Sequence, residues 1–555
     1  ILSQTSTEWH RLIEPHDSFY IGSDVFYSYL IDNNLWKLKM AQQRATTDSL
    51  AKAQMLQEGI LKGQFNPFIR NKLLRMLEYF GQSPIIVRSS SLLEDGFSNA
   101  FPGKYKSIFC TNQGTLEERY HLLAQAIREI YASAFSEDAL AYREKHNLRD
   151  TEEQMALLVQ RVSGSNKGEY FYPDLAGVGF SYNTYVWHSK IDPHAGMIRL
   201  VLGLGTRAVD RMEGDYARIV ALDQPLRVPY EDLDEFKAFT QTKVDLLNIR
   251  SNKQETVPIQ RLNQDYLALH QDMFAERDWE TEQRIRDQGK DPQKLWIYTF
   301  NPLFKQTNLT QTLSKLMKSL EEAYQHPVDI EFTINFRPNG EYIINLLQCR
   351  PLQVRGSKAK VQLPEKLPLS QIVFQGIGNF MGGNFSTKVH QVIFVDPLAY
   401  SRLTQTQKYE VARIIGKLNK EINRGATTTL LLGPGRWGSR LPALGVPVSF
   451  AEINHVTILG EIGYRQSGFL PDVSFGTHFF QDLIESEIFY LALFPERKET
   501  IYQLEVLKPY AVKLPPEYKG KDYLQDAVQV FAFPPEVNFQ FLSDIGSQKV
   551  TFYFN

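Results

Sequence analysis

Cysteine is nearly absent from this chain. Only Cys110 and Cys349 occur in 555 residues, too few for a disulfide scaffold or for a zinc site built on thiolates. Each flanks an apolar run, the setting of a small core residue. A continuous apolar run of about 18 residues is also missing, so no helical membrane span is expected. Ile1 to Thr7 lack the basic-then-apolar pattern of a signal peptide, and a reducing, cytoplasmic setting is expected. Net charge is scarce: −2 overall with a pI near 6.7, so no global field draws the chain to nucleic acid or to an anionic membrane. A local basic cleft stays open. Internal repeats and low-complexity tracts are absent. The chain begins at Ile1 rather than methionine and reads as a fragment or a processed product.

What is present is ordinary for a globular protein with sizeable cores: 43% hydrophobic and 22% charged residues. The length suggests about three or four domains. Asp24–Leu35, Thr47–Gly63 and Ile69–Phe80 carry helical spacing, the last after an Asn66-Pro67 break. Pro84–Val87, Tyr105–Phe109, Met155–Val162, Ala176–Tyr182 and Met197–Leu204 read as strands, and Glu117–Ala134 as an amphipathic helix. The charged stretch 230–325 reads as helical, chiefly Tyr230–Arg250, Thr256–Arg286 and Thr310–Tyr324. Ser357–Leu369 is polar, lysine-rich and holds two prolines, a linker pattern. Beyond it lie short strands, glycines and one helix at Gln405–Ile422.

The richest stretch is Asp329–Phe332 followed, after a Pro-Asn-Gly turn, by Tyr342–Pro351. Two apolar strands joined by a turn let Glu331, Gln348 and Arg350 converge. A carboxylate and an amide oxygen suit a hard divalent cation, and a guanidinium suits the phosphate that such a cation neutralises. The competing reading is an amphipathic hairpin with solvated polar groups. Farther upstream, Ile85-Ile86-Val87 delivers Arg88 and Ser89 to Ser91 to a strand end. Glu94-Asp95 and Phe101-Pro102-Gly103-Lys104 follow, where backbone can approach an anion closely. Leu157 to Val162 leads into a glycine-rich loop and offers an extended edge and apolar slot for a base at Gln160 to Val162. Gly203-Leu204-Gly205 closes another strand without the third glycine of a dinucleotide fingerprint.

In order, Val-Arg-Ser-Ser, Glu-Asp, Phe-Pro-Gly, Val-Gln, Ala-Gly-Val, Gly-Leu-Gly, Asp-Ile-Glu-Phe and Leu-Gln-x-Arg-Pro resemble the nucleotide-binding domain of the pyruvate phosphate dikinase and phosphoenolpyruvate synthase family, over about residues 15–355. The resemblance implies an ATP-grasp module that binds ATP and Mg2+ and phosphorylates a histidine on a swivelling domain. It implies that Arg88 and Arg350 hold phosphates and act in transfer, and that Glu331 and Gln348 hold the metal. Gln160 and Val162 would flank adenine, Gly103 would approach the phosphates, and Gly203 and Gly205 would belong to a loop near the nucleotide.

The family's Gly-Gly-Lys segment is not found in residues 1–20; it lies upstream or is missing, with Lys104 a candidate substitute. Residues 372–460 partly resemble the swivelling domain, but its Ser-His-Ala is replaced by Gly433-Pro434-Gly435-Arg436-Trp437-Gly438-Ser439-Arg440. That loop either binds an anion through amides and Arg436 or is a plain connection. His478 and His455 are the candidate replacement acceptors. His478, after a glycine turn, could be phosphorylated, act as a base or cap a helix; His455 reads as a core residue on an apolar strand. The expected architecture is α/β (α+β): an ATP-grasp domain at 1–356, a divergent swivelling domain at 370–460 and a C-terminal α+β region at 461–555. The expected function is an ATP- and magnesium-dependent phosphotransferase with a small-molecule or protein acceptor. The alternative is an inactive ATP-binding sensor or scaffold. Homo-oligomerisation is left open.

Overall fold

A computed structural model describes residues 7–555 except 46–47, 95–104, 146–147, 149–150, 184–186, 189, 210–214, 229–235, 238, 263–270, 291–293, 353–366, 379, 424, 440–441, 464–482, 484–485, 487, 515–521 and 545–546. Gly103, Lys104, His478 and most of the linker pattern at Ser357–Leu369 therefore lie outside the described residues. The chain forms two compact units, one of residues 1–182 and 194–352, the other of residues 183–193 and 353–555.

The first unit holds three main sheets. The strands β1 (Ser18–Ile21), β2 (Ile85–Ser91), β3 (Ser107–Cys110) and β4 (Met155–Arg161) form an antiparallel sheet in the order β1-β4-β2-β3. Side chains alternate across it. Ile85, Val87, Leu157 and Val159 are fully buried on one face. Ile86, Arg88, Leu158 and Gln160 take the other, because Ile86 pairs with Gln160 and Arg88 with Leu158. The strand was expected over Pro84–Val87, but pairing runs on through Ser91 opposite Met155.

Next come β5 (Ser165–Lys167), β6 (Tyr170–Tyr172), β7 (Leu175–Phe180), β8 (Met197–Leu202), β9 (Arg218–Ala221), β10 (Lys243–Asn248) and β11 (Lys253–Pro258). The last two correct an expectation: 243–258 is a hairpin, not helix. Lys253 and Glu255 lie on the edge strand β11, while Val244, Leu246 and Leu247 are fully buried, and Asn252 takes the left-handed turn conformation. A two-stranded pair, β12 (Glu276–Arg277) and β13 (Trp296–Ile297), precedes the hairpin β14 (Val328–Phe336) and β15 (Tyr342–Pro351). The largest sheet runs β15-β14-β7-β8-β9, all antiparallel. Its core face carries Ile330, Phe332, Ile334, Ile198, Leu200 and Leu202. The helix Leu309–Tyr324 packs on it through Leu313, Leu316, Met317 and Leu320. This is the α/β, ATP-grasp-like arrangement, with helices and antiparallel sheets in one unit.

The second unit starts with β16 (Ile372–Ile377), β17 (Phe380–Met381), β18 (Phe385–Lys388), β19 (Gln391–Val395), β20 (Thr429–Pro434), β21 (Ile458–Ile462) and β22 (Phe489–Leu493). The strands β19 to β22 are parallel neighbours. The helix Gln405–Glu421, opened by a Thr404/Gln407 capping box, connects the first two. A second sheet joins β16 and β18 to Ile501–Tyr502, Phe539–Asp544 and Lys549–Phe554. Residues 370–460 and 461–555, separate regions in the sequence reading, thus share both sheets, and β21 itself spans the 460/461 division. One aromatic core, including Phe374, Phe489, Phe541 and Phe552, draws on both stretches.

Candidate functional site

Along β14 every second residue from Asp329 to Asn335 is polar, and the intervening ones fill the core. Asp329, Glu331, Thr333 and Asn335 therefore share the face opposite the core. On β15 the partners are Arg350, Gln348 and Asn345. Asn345 and Gln348 are an odd number of residues apart, so strict alternation would put them on opposite faces. A register shift between Glu331 and Phe332 leaves Leu347 outside the pairing. That bulge brings Gln348 and Arg350 back to the face of Asn345.

Arg88 reaches this face from the other sheet. Its Nη2 donates to Glu331 Oε2 at 2.7 Å and to Gln348 Oε1 at 2.6 Å. Arg88 and Glu331 are largely enclosed, at 14% and 20% side-chain exposure. One row along, Arg350 Nε donates to Asp329 Oδ2 at 2.9 Å, with both side chains below 10% exposed. Two carboxylates thus balance two guanidinium groups in a poorly hydrated cleft, where such charges need partners.

A metal fits this donor set. A carboxylate and an amide oxygen already converge on one cationic nitrogen, the position a divalent cation would take. Among the described residues no group of three or more His, Cys, Asp or Glu could hold a metal ion. The hairpin would supply two oxygens and leave the remaining positions to water and phosphate, the usual manner of Mg2+.

Gln160 lies on Arg88's face, is buried, and donates to Ser18 Oγ at 3.2 Å. Val162 is buried beside Leu204, Leu247, Ile86 and Phe109. Its N–H donates to the Pro84 carbonyl at 2.9 Å, and the Arg161 N–H to Asp17 at 3.0 Å. The amides of this edge are therefore already used. Gly203 and Gly205 both have φ near +90°. A Cβ on Gly203 would lie 2.5 Å from the Asp245 carbonyl oxygen, and one on Gly205 2.9 Å from Ala176 Cβ. The loop is clamped below: Asp245 accepts from Thr206 Oγ1 at 2.5 Å, Arg207 Nε at 3.0 Å and Thr256 Oγ1 at 2.6 Å. Glu94 holds the turn after β2, accepting from Ser89 Oγ at 2.6 Å and the Ser91 N–H at 2.9 Å.

Sequence reasoning missed Asp329 as Arg350's partner, although the alternation of β14 carried the signal. It also missed a second bridge between the two sheet faces. Ser163 Oγ donates to Asn345 Oδ1 at 2.8 Å, Asn335 Nδ2 donates to Ser163 Oγ at 2.7 Å, and Asn345 Nδ2 donates to Glu14 Oε2 at 3.0 Å. His16 stands beside this bridge, its pKa lowered by burial and by nearby Arg88.

In the second unit the amides of Gly435, Arg436 and Trp437 donate to Ile462, Leu444 and Glu461. Arg436 is only 2% exposed. These donors are already bound within the protein, which favours the plain-connection reading of that loop. His455 lies in a turn rather than on a strand, its N–H and ring bound to Asn419 at 2.8 and 3.0 Å. Both cysteine thiols are pushed up by burial, to about 12 at Cys110 and about 11 at Cys349, as suits core residues.

Comparison with known proteins adds two findings. The family profile of the pyruvate phosphate dikinase AMP/ATP-binding domain matches residues 3–371. An uncharacterized phosphotransferase of Bacillus subtilis (strain 168), YvkC, is 25% identical over 345 residues, which cover 62% of this chain and 32% of that protein. The chain thus spans about a third of that relative's length.

Proposed function

The chain belongs to the pyruvate phosphate dikinase AMP/ATP-binding domain family, and on that ground we propose that its first unit binds ATP with Mg2+ and presents the nucleotide for phosphoryl transfer. The observation that carries this reading is the meeting of Arg88, Glu331 and Gln348, with the Asp329–Arg350 pair in the next row. Glu331 and Gln348 would hold the metal, which when bound would supply charge neutralisation to the phosphates. Arg88 then exchanges its two protein acceptors for phosphate oxygens, a bidentate match for a guanidinium. Arg350, oriented by Asp329, adds positive charge beside them. The buried cluster at Val162 and Leu204 supplies an apolar wall for the base, and contacts to its polar edge come from carbonyls, since the amides at 161 and 162 are used. Gly103 and His478 keep their expected roles as phosphate-approaching backbone and candidate acceptor.

The Bacillus relative, named as a phosphotransferase, supports phosphotransfer as the class of reaction. The sensor or scaffold alternative rests on the absence of the family's Ser-His-Ala from residues 372–460. ATP labelled in its phosphates, incubated with Mg2+, the full chain and a metabolite panel, separates them. Label in protein or metabolite, or release of AMP or ADP, supports transfer. Binding without turnover supports the sensor, and no binding at all defeats both.

A further inference from the structure

The tip of the β10–β11 hairpin is tied by one side chain to a different sheet. The hairpin belongs to the sheet β11-β10-β6-β5, whereas Thr111 and Gln113 follow β3, the edge of the sheet β1-β4-β2-β3. Asn252 Oδ1 accepts from Thr111 Oγ1 at 2.5 Å and from the Gln113 N–H at 3.4 Å. Asn252 Nδ2 donates to the Gln113 carbonyl at 3.2 Å. One amide thus spends both its donor and its acceptor on the same short turn.

The two sides of this contact are held differently. Thr111 and Asn112 are buried. Asn112 Nδ2 donates to the Gly81 and Ser83 carbonyls at 2.9 and 2.7 Å, and Gln113 Nε2 to the Gln82 carbonyl at 2.6 Å. That turn is therefore fixed to its own layer. The hairpin is held more lightly near its tip. There β10 pairs with β6 through Leu247 and Asn248, and β11 is an edge strand.

Behind the contact lies the apolar cluster of Val162, Leu204 and Leu247, against which Ile86, Phe109 and Phe171 pack. Phe109 stands just before Thr111 on one layer, and Leu247 lies on the strand that leads to Asn252 on the other. Leu204 and Leu247 are buried, so the two layers meet there. A base that takes this cluster as its wall enters only when Ile86 and Phe109 part from Leu204 and Leu247. The Asn252 contact holds those two sides together.

We propose that Asn252 is a latch that keeps the β10–β11 hairpin closed over the base end of the cleft, and that its release sets the rate at which nucleotide enters and leaves. This rests on the ATP-binding reading above. The latch is made of protein groups that are not proposed nucleotide contacts, so it favours neither the bound nor the unbound protein. Its loss lowers the barrier from both sides and leaves affinity nearly unchanged.

The test is stopped-flow fluorescence of the full chain with Mg2+ and methylanthraniloyl-ATP, reading association directly and release by a chase of unlabelled ATP. Asn252→Gly removes the latch and keeps the left-handed turn, which glycine adopts freely. It is expected to raise both rate constants about tenfold, with the dissociation constant within about twofold of wild type. Thr111→Val should move both rates the same way by a smaller factor. The double variant should be no faster than Asn252→Gly, because the two changes act on one contact. Unchanged rates in Asn252→Gly, with binding preserved, overturn the latch and leave the ATP reading standing. Faster release with unchanged association makes Asn252 a contact of the bound state alone and also overturns the latch. If the wild type binds neither the analogue nor, by calorimetry, ATP itself, the ATP reading falls and the latch falls with it. Should one variant fail to fold, the other decides by the same rates.

Discussion

Arg88 is held by two oxygens on a hairpin more than two hundred residues away. On the proposed reading, Glu331 is therefore the residue whose loss separates metal binding from phosphate binding. Glu331→Ala should raise the ATP dissociation constant at least about tenfold in Mg2+. Without metal, affinity should hold or improve slightly, because Arg88 is released. Titration calorimetry in Mg2+ and in EDTA checks this, and an unchanged constant in Mg2+ removes Glu331 from the site. The neighbouring pair is structural as well as electrostatic. Asp329→Ala strips the buried Arg350 of its carboxylate and should cost about 3–5 kcal/mol in urea denaturation. His16 gives a pH signature. Its folded pKa lies below 6.5, through burial first and Arg88 next, against Glu14, Asp17 and the Arg161 backbone. As pH falls through the unfolded value, the unfolded chain takes up a proton that the folded chain refuses. Stability therefore drops until the lower folded pKa is passed. Urea midpoints from about pH 7.5 to about pH 5 should fall more steeply for wild type than for His16→Asn; parallel slopes would contradict the buried ring.

The hairpin β14–β15 shows what local pattern can and cannot say. The alternation of Asp329, Glu331, Thr333 and Asn335 is present in the sequence and matches one face of the strand, although only Glu331 of the four was singled out there. On the facing strand it fails between Asn345 and Gln348, because a bulge is set by how two strands meet and not by either alone. The stretch 243–258 failed for another reason: its charges suggested a helix, yet burial of Val244, Leu246 and Leu247 in the unit's core overrode them. The Gly203–Gly205 loop was noticed for its glycines, and their necessity lies in the close approach of Asp245. Gly203→Ala adds a Cβ against that carbonyl at a positive φ. It should destabilise by about 2–4 kcal/mol in chemical denaturation, and a neutral substitution would mean that the loop is not clamped as described.

The two units have separate cores and different sheet designs, one antiparallel throughout and one with a parallel centre. On the proposed reading the nucleotide binds to the first. Scanning calorimetry of the full chain should therefore show two transitions. ATP with Mg2+ at about a hundred times its dissociation constant should raise only one of them, by about 2.7 kcal/mol of added stability. A shift of both together would mean that the units unfold as one. Among the described residues no helix is long and apolar enough to cross a membrane, as the lack of long apolar runs suggested.

The sequence by itself determined which side chains are candidates for the chemistry, and in what order. Arginine and carboxylate types, strand alternation and turn residues are local, so the resemblance, the ATP-grasp-like fold and the residues Arg88, Glu331, Gln348 and Arg350 could be read from it. Only the tertiary structure decided who faces whom. Arg88 meets Glu331 and Gln348, Asp329 takes Arg350, the bulge at Leu347 restores a face, and the stretches on either side of residue 460 share two sheets. Each is a contact between distant segments, and its geometry depends on packing and register that no short window of residues contains.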